Sequence, residues 1–273
     1  MRLTFAFGLA LTVAATGCSR DSSNARPPRA DEVPEAIDVA QTNMTSGIAI
    51  GQLRRTFDVA AFRVTKTLIS VRQYRQCVDA GGCVPPSMST VGCKQGKDLP
   101  DRATYTDKED LADLPLTCAT PKQAKDYCAW QSATLPTAEQ WMLAARGRDV
   151  SRYAWGNDAA TCAQHPLVPM DPSADSTCCG VGCREGDRFG VGKRPTAVSP
   201  LGMRDVLLTR AELLSRASES EMAACAGKDG ACVVTGGPPG AIDGFQRIVN
   251  DGASSDGPVA YPTYGFRCVW SDR

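Results

Sequence analysis

The chain has 273 residues, 30 Lys and Arg balanced by 30 Asp and Glu, one histidine and thirteen cysteines. Zero formal net charge and the lack of a basic stripe exclude a nucleic-acid binder that works by charge. So many cysteines point to an oxidising compartment, and no apolar stretch beyond the N-terminus reaches membrane-spanning length.

Residues 1–18 read as a targeting segment. Arg2 supplies a positive start, and Leu3 to Ala15 is an apolar run too short to remain as a spanning helix. The run ends Ala15-Thr16-Gly17-Cys18, which resembles a bacterial lipobox. That resemblance implies that Cys18 is lipidated and becomes the mature N-terminus. Ser19 in place of Asp favours the outer membrane of a Gram-negative cell envelope over the inner one. An ordinary secretory signal with a coincidental cysteine is the competing reading. Residues 19–46 are polar and proline-rich and read as a flexible tether. The folded domain is expected over 47–273, long enough for one core.

Setting Cys18 aside leaves twelve cysteines, an even number that suits a disulfide framework. Structural zinc is the alternative. Cys178, Cys179 and Cys183 lie close together, but no second C-x-x-C pair exists and His165 is the single histidine. Cys77 and Cys83 bracket a Gly-Gly turn and are placed to close a local loop. Residues 84–117 read as a long loop pinned by Cys93 and Cys118.

Two helix starts follow. Thr120-Pro121 with Gln123 combines an N-cap, a first-turn proline and a capping box, and Thr137 with Gln140 repeats the box. Ala124, Tyr127, Cys128 and Gln131 share one helical stripe. Gly147 ends the second helix, and an aromatic turn over 153–157 follows.

Together these residues carry a resemblance. Ala124…Tyr127-Cys128-Ala129-Trp130, Leu135-Pro136-Thr137-Ala138-Glu139-Gln140-Trp141, Ala144-Ala145-Arg146-Gly147 and Tyr153-Ala154-Trp155-Gly156 resemble the signature of the sulfatase-modifying-factor (formylglycine-generating enzyme) family. Arg63-Val64-Thr65-Lys66 with Tyr74 looks like the family's opening strand and helix, and Gly265-Phe266-Arg267-Cys268-Val269 like its end. The likeness spans about residues 45–273. It implies an irregular, loop-rich α+β fold related to C-type lectins and stapled by disulfides. It also implies a bond between Cys128 and Cys268. Residues 158–190, rich in Pro, Asp and Cys, agree with such pinned loops.

Over 191–213 the match divides. Val191-Gly192, Pro195 and Gly202-Met203-Arg204-Asp205-Val206 follow the family, whereas Leu208-Thr209 and Ala211-Glu212-Leu213 stand where Gly-Asn and Trp-Glu-Trp are usual. By resemblance this is a calcium loop. The Asp205 and Glu212 carboxylates and the Leu208 and Arg210 carbonyls would be the ligands, an oxygen set that suits a hard cation. Asp187 and Phe189 match a second calcium loop. Read from its residues alone, 205–217 is an amphipathic helix pattern with no ion. Both readings stand at this point.

The family's copper site uses two cysteines five residues apart, beyond a Gly-Gly strand. Here Gly236-Gly237 are present, but Ala241 and Gln246 occupy the cysteine positions, so copper is not expected. Cys225 and Cys232 read as a local disulfide. Iron-dependent relatives in ergothioneine biosynthesis need histidines that this chain lacks, and His165 in a proline-rich loop makes a poor triad base.

The sequence thus points to a cell-envelope lipoprotein with a non-catalytic binding or structural domain and an unidentified protein, peptide or glycan partner. A copper oxidase that makes formylglycine is the second reading. A lectin-like sugar or peptide binder is the third, and it would need an exposed aromatic groove. The anchor has a direct test. In a Gram-negative host the full chain is expected in the detergent phase and Cys18→Ser in the aqueous phase, and equal partitioning of the two would remove the lipid.

Overall fold

A computed structural model describes residues 25–47, 54–86, 105, 111–148, 190–193, 198–206, 211–215, 231–235, 246–250 and 264–271. The chain opens with strand β1 (Ala36–Val39), then β2 (Thr42–Gly47), β3 (Arg54–Val59) and β4 (Phe62–Thr65). Helix α1 (Val71–Asp79) precedes α2 (Pro121–Trp130) and α3 (Ala138–Arg146). The C-terminal part supplies β5 (Ala211–Leu214), β6 (Ala231–Thr235), β7 (Gln246–Asn250), β8 (Tyr264–Phe266) and β9 (Val269–Ser271). Among the described residues the strands form three sheets, in orders β1-β4-β9, β2-β3 and β6-β7-β5-β8. This is the irregular α+β architecture expected.

The two ends of the chain meet in the first sheet. β4 lies between β1 and β9, antiparallel to both, with Val64 opposite Ile37 on one side and Val269 on the other. Phe62, Val64 and Val269 then point into a core shared with Trp141, Met142, Leu143 and Ala145 of α3.

All three helices begin in the same way. Ser70, Thr120 and Thr137 each accept from the backbone N–H three residues on, while Gln73, Gln123 and Gln140 reach back to the cap N–H. Such a cap is typically worth about 1 kcal/mol. Gly147 closes α3 at φ +75°, a region that side chains with a Cβ resist. The stripe read on α2 is buried as expected: Tyr127 stacks on Tyr74 of α1 at 5.8 Å and meets Phe266 of β8 edge-on at 5.6 Å.

Cys128 on α2 is bonded to Cys268, the pair that the resemblance implies, and Cys77 to Cys83. A bridge closing a loop of 140 residues contributes up to about 4–5 kcal/mol in the chain-entropy account. Cys118 is also disulfide-bonded. Cys93, Cys178, Cys179, Cys183, Cys225, His165, Asp187, Phe189 and the turn over 153–157 lie outside the described residues.

Two expectations are corrected. First, residues 25–46 are not a flexible tether. They form a 3-10 turn (Ala30–Glu32), β1 and most of β2, and they dock on the domain. The Arg26 N–H donates to the Ala80 carbonyl, Trp130 Nε1 donates to the Arg26 carbonyl at 2.7 Å, and Gln131 Nε2 donates to the Glu32 carbonyl. Polar composition hid this because much of the hold is hydrogen bonding, in the β1–β4 ladder and at the ends of α1 and α2, with the apolar burial concentrated at Val39 and Met44. Second, the helix pattern over 205–217 does not become one helix. Residues 211–214 are a strand, parallel to both β7 and β8, with Leu213 between Ile248 and Phe266. Asp205 at φ +60° cannot start a right-handed helix, and a strand buried on both faces reads as apolar as a helix does.

The strap carries its own pH response. The Arg26 side chain at 2.6 Å, then the Arg29 backbone N–H, lower the Glu32 pKa from 4.5 to about 2. A carboxylate whose folded pKa is depressed adds stability above its unfolded value and loses it as pH falls toward the folded one. The stability gap between wild type and Glu32→Gln is therefore expected at neutral pH and should close between about 4.5 and 2. Denaturant midpoints read by Trp130 fluorescence measure it, and a gap that persists unchanged to the acid end would refute the assignment.

Candidate functional site

The polar centre of the domain is built around Arg267, in the link between β8 and β9. Its side chain is fully buried, in the short apolar run Gly265 to Val269. A buried guanidinium is tolerable only when every face of it is paired. Here Nε donates to Glu212 Oε2 at 2.8 Å, Nη1 to the carbonyls of Thr65 and Lys66, and Nη2 to the carbonyl of Arg204. Glu212, 2 % exposed, takes a second bond at the same oxygen from Trp141 Nε1 at 2.8 Å. One arginine thus ties together β4, β5, α3 and the turn before Asp205.

Asp205 is a second buried acceptor. Its carboxylate takes the Gly192 N–H at 2.9 Å and the Leu68 N–H at 3.3 Å. Gly192 has φ +69°, and a Cβ there would come 3.0 Å from Thr67 Cγ2. The Val191-Gly192 and Gly202-to-Val206 matches in the sequence therefore mark one turn and the carboxylate that holds it.

Of the four expected calcium ligands, Leu208 and Arg210 lie outside the described residues. Both oxygens of Asp205 accept from the Gly192 N–H, which orients the carboxylate. Glu212 keeps one oxygen, Oε1, that makes no bond among the described residues, and its charge is balanced by Arg267. Among the described residues no group of three or more His, Cys, Asp or Glu could hold a metal ion.

The two expected copper positions are not both described. Ala241 lies outside the described residues, and Gln246 is the first residue of β7, opposite Thr235 of β6. Cys232 falls on β6 opposite Val249. Cys77, Cys83, Cys118, Cys128 and Cys268 are all in disulfides and offer no thiolate.

Local sequence pattern gives no role to Arg267, Trp141 or Glu32 beyond membership of the stretches that carry them. For Arg267 a signal was present: an arginine inside an apolar terminal strand must be exposed at an edge or buried with a carboxylate. For Glu32 there was none.

These features define a disulfide-stapled α+β scaffold organised by a buried arginine clamp. Residues 22–272 match the Sulfatase-modifying factor enzyme 1-like domain, and the chain belongs to that family. The match begins ahead of residue 45, in agreement with the docked strap. The chain is 32% identical over 124 residues to a hercynine oxygenase of Mycolicibacterium thermoresistibile, covering 39% of this chain and 28% of that protein. It is 41% identical over 46 residues to the inactive C-alpha-formylglycine-generating enzyme 2 of Bos taurus, covering 16% of this chain and 15% of that protein. The chain thus spans under a third of the length of either relative. Among solved structures, PvdO from Pseudomonas aeruginosa shares the fold at a TM-score of 0.57 and 15% identity, with 90% of this chain and 99% of that one covered. Treponema denticola variable protein 1 does so at 0.53 and 12%, with 87% and 95% covered.

The clamp has a measurable strength. Glu212→Gln leaves the Arg267 charge buried and unpaired, and breaking such a pair costs about 3–5 kcal/mol. Denaturant unfolding of the purified domain should show that loss. A loss below about 1 kcal/mol, the scale of an exposed ion pair, would mean the pair is not buried in solution.

Proposed function

We propose that this chain is a cell-envelope lipoprotein whose sulfatase-modifying-factor domain is a non-catalytic binding or structural module on a C-type-lectin-like scaffold. The observation that carries the reading is the replacement of the family's paired copper cysteines by Ala241 and Gln246. A methyl group and a neutral amide cannot replace two thiolates at a soft Cu(I) centre. The disulfides at Cys77, Cys83, Cys118, Cys128 and Cys268 support it, because they remove five cysteines from the supply of thiols. A relative named as inactive matches part of the same domain. The hercynine oxygenase likeness is not extended to activity, since the chain has one histidine. For a sugar-binding variant, Tyr74, Tyr127, Trp141 and Phe266 are core and offer no ring to a ligand, whereas Tyr105, Trp130 and Trp270 are half-buried.

The location follows from the Cys18 reading: the outer membrane or periplasmic face of a Gram-negative envelope, with the lipid as the membrane contact. The partner of the domain is a protein, peptide or glycan.

We further propose calcium at this loop, held by the Asp205 and Glu212 carboxylates and the carbonyls of Leu208 and Arg210. Main-chain ligands survive the change from Gly-Asn to Leu-Thr.

Two experiments test these readings. Copper-loaded protein incubated with a sulfatase-type cysteine peptide, oxygen and reductant is expected to leave the peptide's mass unchanged. Copper-dependent conversion to formylglycine over multiple turnovers would restore the oxidase. An ion bound only by the folded state raises the melting temperature, so millimolar calcium is expected to raise it over chelator and Glu212→Gln to abolish the difference. Identical melting curves for the wild type would eliminate the calcium site.

A further inference from the structure

The docked strap changes how far the domain can stand from its anchor. Read as a tether, residues 19–46 would let the domain roam. In the structure the chain is captured by Ala25–Arg26. The Arg26 N–H and carbonyl are bonded to Ala80 and Trp130, and the Arg26 guanidinium is paired with buried Glu32 at 2.6 Å. The capture point is tightly packed. A Cβ on Gly81 would lie in ordinary contact with Ala25 Cα, at 3.9 Å, and one on Gly82 would come 2.7 Å from Trp130 Cδ1. Only seven Cα steps separate Cys18 from Ala25. Whatever their conformation, these span at most about 25 Å.

We infer that the pole of the domain formed by the strap, the Gly81-Gly82 turn and Trp130 faces the lipid surface that carries the acylated Cys18. The inference rests on the lipid-anchor reading and adds an orientation to it. The partner is the bilayer surface itself, argued from the length of chain between the lipid and the first docked residue. The pole is not a basic membrane patch: Arg26 and Arg29 are offset by Asp31, Glu32 and Asp79, so the leash and not surface charge does the holding. Pro27, Arg29 and Val33 are exposed on it. The opposite consequence is that a partner must be met by surfaces away from the strap.

The test uses the full acylated chain in vesicles. A genetically encoded fluorescent amino acid at exposed Asp79 serves as donor and a headgroup-labelled lipid as acceptor. Energy transfer is expected to be strong and insensitive to salt. A Gly-Ser insert of 30 residues between positions 24 and 25 adds roughly 30 Å of root-mean-square reach and should reduce transfer about twofold or more. Arg26→Ala with Glu32→Gln should reduce it as well by freeing the strap, with membrane partitioning unchanged. If Cys18→Ser partitions like wild type, the lipid anchor has failed. If the anchor stands but the insert leaves transfer unchanged, or transfer is weak in wild type, the orientation has failed. Loss of transfer at high salt would show electrostatic docking and would also overturn the leash.

Discussion

A fully buried guanidinium constrains everything around it. Arg267 can stay at the centre of this domain only because a carboxylate and three backbone carbonyls surround it, supplied by Glu212, by Arg204 and by the neighbouring Thr65 and Lys66. Its carboxylate partner, Glu212, is itself fixed by Trp141 of α3. Strand β5 therefore has to run past α3 at one height, and the link between β8 and β9 has to sit above the end of β4. The charge sets the register of elements that also meet in the apolar core, because any slip would leave it unpaired.

Around this clamp the fold is held by devices suited to short elements. No strand exceeds six residues and no helix ten, among the described residues. Such pieces bury little each, so capping boxes secure the helix starts, and the Cys128–Cys268 bridge joins α2 to the C-terminal strand region across most of the domain. The strap does the same for the N-terminus. Tyr127 shows how closely these devices cooperate: it stands one position before Cys128 and packs between Tyr74 and Phe266.

The family match covers residues 22–272, from the strap to the C-terminal strand, so the scaffold as a whole and not a single motif carries the membership. Packing and a metal centre draw on different side chains, so a match along the scaffold does not by itself carry the family's chemistry.

Local signals were legible in the sequence. Thr120 with Gln123 and Thr137 with Gln140 mark helix starts because a cap bonds only to residues three places away, and Gly147 marks a stop because its φ is positive. The even cysteine count pointed to a disulfide framework, and the resemblance to the family implied the α+β class and the Cys128–Cys268 pair. Three features depended on tertiary structure. Glu32 and Arg26 look like solvated tether residues until Ala80, Trp130 and Gln131 are brought beside them. Residues 211–214 carry an apolar pattern that fits a helix or a doubly buried strand equally well, and only pairing with β7 and β8 decides between the two. Arg267 announces a buried charge but not its partner, since Glu212 lies 55 positions away. In each case the deciding contact is non-local, and a periodicity read along the chain carries no information about what folds against it.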